Sequence, residues 1–180
     1  NFGTERVDSR SILTKDGQYV IFTNRTLLGD RLRFTLAFEL GHMVMHLNAL
    51  PDLNRDVNHE ANLFASELLM PEKEIKPDFA NGVTLGVLGE LKRKWKVSMQ
   101  SLLFRAEDLE IISSNQKRYL IGQFNKLKIR RREPQGLDIP KEIPHLLDTL
   151  LNKYRNKYKA DNQLLAKELH SHYQDFVELY

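Results

Sequence analysis

The hydrophobic pattern near the start of the chain predicts a β-hairpin followed by a buried helix. Residues 9–24 place β-prone runs on both sides of an Asp16-Gly17 pair, which is a strong hairpin signal. Residues 31–47 contain no proline and carry apolar side chains on nearly every face, which predicts a helix buried on all sides. Asp30 is the expected N-cap of this helix.

A second, amphipathic helix is predicted over residues 57–70. Its apolar residues recur with the helical period, and two alanines in the stripe are small enough for close packing on another helix. Pro71 ends it. The stripe consists of Ala61, Phe64, Ala65, Leu68 and Leu69.

The rest of the chain predicts helices separated by short turns and one proline-spaced connector, residues 133–144. Thr84, Ser98 and Ser113 are the expected N-caps of the first three of these helices. The predicted helices cover about residues 85–95, 99–109, 115–127, 145–158 and 162–179.

The first predicted helix also carries chemistry, because Glu39, His42 and His46 can share one side of it. The metal motif His-Glu-x-x-His uses two imidazoles one turn apart to bind zinc and the glutamate as general base. Residues 38–42 read Phe-Glu-Leu-Gly-His, so Glu39 takes the position of the base and His42 that of the second ligand. Phe38 stands at the first-ligand position, and phenylalanine cannot bind a metal.

Composition restricts the chemistry further. The chain has no cysteine, which excludes disulfides and thiolate metal sites, and no apolar run approaches the roughly 20 residues of a membrane span. Net charge is −4 over residues 1–90 and +7 over residues 91–180. A basic cluster in the second half suggests contact with nucleic acid, although a solvated helix end is the commoner role. The cluster consists of Lys126, Lys128, Arg130, Arg131 and Arg132.

Two separate stretches, in order, resemble the ImmA/IrrE family of regulatory metallopeptidases. The resemblance spans about residues 9–145 and implies an α+β fold, with a zincin-like helical core, a small antiparallel sheet and a mostly helical C-terminal region. We expect a core over residues 1–80, a helical subdomain over 81–133 and a helical extension over 134–180. The matching residues are Arg33 to Ala37, Glu39 to His42, Glu60, Ala61, Asn62, Phe64, Ala65 and Leu68 to Pro71.

The resemblance implies zinc as cofactor, His42 and Glu60 as ligands and Glu39 as the catalytic base. It implies a cytoplasmic bacterial protease that acts on a repressor or an antitoxin-like regulatory protein. Many members also carry an N-terminal helix-turn-helix. The present chain does not begin with Met, so we expect a fragment of a longer protein in which such a DNA-binding segment is missing. We expect no membrane partner.

Phe38 leaves three explanations open. It could be an engineered substitution that silences the protease, or a natural loss that leaves a non-catalytic scaffold. His46 could also compensate, since it forms an i, i+4 pair with His42, but it lies one turn beyond Glu39. Catalytic zinc needs three protein ligands, so we expect zinc to be absent or weakly bound in this sequence.

Two functions follow as alternatives, and the sequence leaves open whether the chain is an enzyme. The first is a metallopeptidase domain that cleaves a regulatory protein and is inactive because Phe38 replaces a ligand. The second is a non-catalytic regulatory module of the same fold that binds a partner protein or, through its basic second half, DNA.

Overall fold

A computed structural model of the chain describes residues 7–47 and 55–179. Its contacts divide the chain into two compact units, Asn1–Lys141 and Glu142–Tyr180. The first unit carries the hairpin and the predicted site. Within the described residues, no helix is both long and apolar enough to cross a membrane.

The predicted hairpin is present as two antiparallel strands, β1 (Ser9–Leu13) and β2 (Tyr19–Thr23). Ser9 pairs with Thr23, and the turn places Gly17 at a φ of 81°, which a glycine adopts without strain. Because successive side chains of a strand alternate between its two faces, every second residue of β1 lies on one face of the hairpin.

Helices α1 (Gly29–His46) and α2 (Val57–Leu69) confirm the two predicted motif helices and pack against each other. A Cβ atom added at Gly41 would lie 3.0 Å from the Phe64 ring and 3.3 Å from the Ala61 Cα atom. Ala61 and Ala65 are fully buried. Small residues on both helices therefore allow the close approach that the pattern predicted.

Two expectations about α1 are wrong. The helix is not buried on all sides, because Leu36 and Val44 are 42% and 63% exposed. Asp30 is also not the N-cap, since the helix begins at Gly29 and Leu28 takes the cap position without a side-chain hydrogen bond. Asp30 instead points into the protein, where it is 4% exposed.

The main hydrophobic core lies beyond the two motif helices. It is formed by α3 (Glu72–Ile75), a 3-10 turn (Lys76–Phe79), α4 (Leu85–Trp95), α5 (Met99–Asp108) and α6 (Ser114–Lys126). The predicted caps are confirmed: the side chains of Thr84, Ser98 and Ser113 accept hydrogen bonds from the backbone N–H groups of Val87, Ser101 and Gln116.

A buried ammonium group connects three parts of this unit. Lys92 of α4, 1% exposed, donates to Asp30 Oδ2 at 2.5 Å and to Glu133 Oε2 at 2.7 Å. Burial alone would lower the pKa of Lys92, but the hydrogen bonds with the two carboxylates outweigh it and hold this pKa above its ordinary value. Next to Asp30, a Cβ atom added at Gly29 would lie 2.1 Å from the Pro140 carbonyl oxygen, so only glycine fits there.

The second unit contains α7 (Leu146–Tyr158), α8 (Asn162–Glu168) and α9 (Tyr173–Leu179). Its small core consists of Leu151, Leu165, Ala166 and Phe176. The prediction of a single helix over residues 162–179 is wrong. Helix α8 ends at Glu168, and His170 adopts a left-handed φ of 50°, which separates α8 from α9.

The fold class is confirmed as α+β, with one small antiparallel sheet in the described part of the chain and a helical C-terminal region. The boundaries proposed at residues 80 and 133 stay predictions.

Replacing Lys92 by methionine leaves Asp30 and Glu133 buried without their cation. We expect Lys92→Met to lower the free energy of unfolding by about 3–5 kcal/mol, the usual loss when one partner of a buried ion pair is removed. Chemical denaturation of the full chain measures this loss.

The control is Lys94→Met on the same helix, because Lys94 is 58% exposed and pairs with Asp78 at the surface. An exposed pair contributes only about 0–1 kcal/mol. Equal losses for the two variants would contradict the role assigned to Lys92.

Candidate metal centre

Most residues of the predicted site line one open cleft between the hairpin and the motif helices, whereas Glu60 is not part of its lining. Its volume is about 470 Å³. Side chains from β1, β2, α1 and α2 meet there, so the cleft exists only once the hairpin has packed on α1. The lining residues are Ser11, Tyr19, Phe38, Glu39, His42, His46, Leu47 and Asn58.

Glu39, the predicted catalytic base, is held by two serine hydroxyls of the hairpin. Ser9 Oγ donates to Oε1 at 2.5 Å, and Ser11 Oγ donates to Oε2 at 2.6 Å. The two serines share one face of β1 because they are two residues apart. Glu39 is 6% exposed. The hairpin therefore fixes this carboxylate at the edge of the cleft.

Phe38 is half-buried and lines the cleft. Its ring meets the His42 ring edge-on, with centroids 4.6 Å apart and planes at 82°. Such T-shaped contacts are favourable between aromatic rings. Phe38 thus contributes an apolar wall at the first-ligand position.

No hydrogen bond joins His42 to Glu60 directly. Instead, His46 lies between them. Nδ1 of His46 is 3.0 Å from Nδ1 of His42, and Nε2 of His46 is 3.0 Å from Oε2 of Glu60. Burial and the neighbouring His46 lower the pKa of His42, against the opposite influence of Glu39 and Asn58. The neutral imidazole is therefore favoured, and not the imidazolium.

Glu60 also forms an ion pair with Arg55. Arg55 Nε donates to Oε1 at 2.9 Å, and the Arg55 Nη2 group donates to Oε2. The hydrogen bonds from Arg55, and then that from His46, lower the pKa of Glu60 to about 2. Glu60 is thus ionised at neutral pH, and both of its oxygens are engaged.

The donors at this site do not fit a catalytic zinc ion. Zinc is held by atoms that converge on one point at about 2.0–2.2 Å. Here Phe38 supplies no donor, and both ring nitrogens of His46 are engaged, one with His42 and one with Glu60. In residues 7–47 and 55–179, no three His, Cys, Asp or Glu side chains are grouped to hold a metal ion. The assignment of His42 and Glu60 as ligands, with His46 as a substitute, stays a prediction.

The basic cluster lies apart from the cleft, at the end of α6 and in the segment after it. All five of its side chains are exposed. Arg132 pairs with Asp138 at 2.5 Å, and the Arg130 carbonyl accepts a hydrogen bond from Gln100 Nε2. The contact of this cluster with nucleic acid stays a prediction.

The side chains at the site that sequence reasoning missed include Ser9, Ser11 and Arg55. The sequence did indicate the two serines, because they alternate along a predicted strand that precedes the motif helix. It indicated Arg55 less clearly, since Arg55 lies five residues before Glu60, just outside the predicted helix.

A helix pair that carries Glu39, His42 and Glu60 beside a small sheet defines a metallopeptidase-like domain. The model of the IrrE N-terminal-like domain, a family of peptidases, matches residues 1–107. The chain therefore belongs to the ImmA/IrrE family, whose members are in general zinc-dependent. No curated protein shows a match to this chain.

Removing the charge of Arg55 should raise the pKa of Glu60. In Arg55→Gln we expect this pKa to move from about 2 toward its ordinary value of 4.5, because the largest cause of its lowering is lost. NMR titration of the Glu60 carboxyl carbon measures the shift.

The same variant should change the acid sensitivity of the fold. A lowered folded-state pKa stabilises the protein above pH 4.5, and this contribution disappears as pH falls toward 2. Arg55→Gln should flatten this part of the pH profile, whereas Lys15→Gln in the exposed hairpin turn should not. An unchanged Glu60 titration would refute the ion pair.

Proposed function

We propose that this chain is the peptidase-like domain of a regulatory protein whose hydrolytic activity is disabled by Phe38. The observation that carries the proposal is the pairing of an intact family fold with a donor set that does not converge. Glu39, the residue in the position of the general base, remains at the edge of the cleft. The ring of Phe38 occupies the position from which a third metal donor would come.

The protein on which the domain acts is proposed to be a repressor or an antitoxin-like regulator in the bacterial cytoplasm. The support is membership of the family, together with an open cleft whose size is sufficient for side chains of a bound polypeptide. Under this proposal, the present sequence binds the regulator without cutting it.

Restoring the missing ligand should restore metal binding. We expect Phe38→His to bind about one zinc ion per chain, because it places two imidazoles one turn apart on α1 and leaves Glu60 to complete a three-ligand site. Metal analysis after purification in zinc-supplemented medium measures this, and cleavage of a candidate regulator follows as the second readout.

Three further variants make this test specific. Phe38→Leu offers no donor and should stay free of zinc, and Phe38→His combined with Glu60→Gln should lose the metal again. Phe38→His combined with Glu39→Gln should keep zinc but lose about 10²–10⁴-fold in cleavage rate, the usual contribution of a general base. A Phe38→His protein that purifies without metal would contradict the proposal.

Nucleic-acid binding is a second candidate function, favoured by the exposure of the whole basic cluster. Phosphate contacts depend strongly on salt, because each one releases counterions from the nucleic acid. We propose that this surface holds a DNA backbone while the cleft holds protein.

Charge removal at two residues of the cluster tests this candidate. We expect Arg130→Gln with Arg131→Gln to weaken the binding of a DNA duplex and to reduce the slope of log K against log salt by about 2. Lys153→Gln with Lys157→Gln in α7 is the matched control, since it removes the same charge elsewhere. Identical slopes for the two double variants would exclude the cluster as the contact.

A further inference from the structure

Glu39 is a buried carboxylate with no cationic partner among residues 7–47 and 55–179. Its two oxygens accept hydrogen bonds only from the hydroxyls of Ser9 and Ser11, and no salt bridge to it occurs in the described parts of the chain. Buried charges in proteins are normally paired or bound to a metal. A cation that reaches this carboxylate would therefore complete the site.

The carboxylate retains capacity for a ligand. An ionised carboxylate offers about four lone-pair positions, and the two serines use two of them. Glu39 also lines the open cleft, so a group that enters the cleft can reach it.

Aromatic side chains form two further parts of the cleft lining. Phe38 comes from α1 and Tyr19 from β2, and both line the same space of about 470 Å³ as Glu39. The faces of aromatic rings attract cations within about 6 Å of the ring centre. An acidic group beside aromatic surfaces is the combination that binds organic cations, and the planar guanidinium also stacks on such rings.

We propose that this cleft binds the guanidinium group of an arginine on the partner protein, with Glu39 as its counter-charge and Phe38 as its aromatic wall. That the partner is a protein rests on the proposed function above. The replacement at position 38 then has a positive consequence, since it removes a metal donor and adds a surface on which an arginine side chain lies.

A comparison of two peptides on the unaltered 180-residue chain tests this. The probes are a blocked pentapeptide of four alanines around a central arginine and its twin with citrulline, which has the same shape without the charge. NMR titration follows the backbone amides of Ser11 and Tyr19. We expect the arginine peptide to bind about tenfold or more tightly than the citrulline peptide, because hydrogen bonds to charged groups are the stronger ones. A lysine peptide should bind less tightly than the arginine peptide, since an ammonium group does not stack.

Variants of the chain locate the effect. Glu39→Gln should abolish the preference for arginine over citrulline, and Phe38→Leu should weaken arginine binding several-fold. Glu90→Gln is the control, because Glu90 is an exposed carboxylate of α4 outside the cleft lining. If Glu39→Gln fails to fold, the arginine–citrulline pair and the Phe38→Leu variant still decide the question.

Equal affinities for the two peptides, absence of binding, or an arginine preference that survives in Glu39→Gln would each overturn the inference. Its failure is distinguishable from failure of the proposed function. Zinc uptake by Phe38→His concerns a different variant and a different readout, so either result stands without the other.

Discussion

The buried contact of Lys92 with Asp30 and Glu133 is the constraint on which the first unit depends. It attaches the first turn of α1 to α4 and to the connector before Lys141, although these segments are far apart in sequence. Removing charges from water is costly, so three buried groups are compatible with a stable fold only while all of them are paired. The close approach at Gly29 reinforces the same junction. Since α1 carries four of the cleft residues, this junction also sets where those four lie.

Along α1, neighbouring residues serve different partners. Gly41 allows α2 to approach, whereas Glu39 faces the serines of the hairpin. The contact of Gly41 with α2 and the contact of Glu39 with the hairpin lie within one turn of α1, and the cleft lies between the hairpin and the two helices. Phe38 lies next to Glu39 on this helix and gives the cleft an apolar wall.

The two carboxylates of the family site end with unlike partners. Glu60 lies between Arg55 and His46, and its charge is compensated within the chain. Within the described residues, Glu39 accepts hydrogen bonds only from the hydroxyls of Ser9 and Ser11, and it lines the same cleft as the Phe38 ring. This asymmetry separates a carboxylate that is paired with a cation of the chain from one whose described donors are neutral hydroxyls. It is also the physical basis for treating the cleft as a place where a cationic group binds.

The sequence by itself determined the hairpin, the capped helices and the two motif helices, because these depend on residues only a few positions apart. It also placed Glu39, His42 and Phe38 on one helix. Only the tertiary structure decided the partner of each polar group: Asp30 meets Lys92 instead of capping its helix, and His46 takes the contact with Glu60. Local periodicity carries no information about partners 14 to 62 positions away, since those contacts exist only after the elements pack.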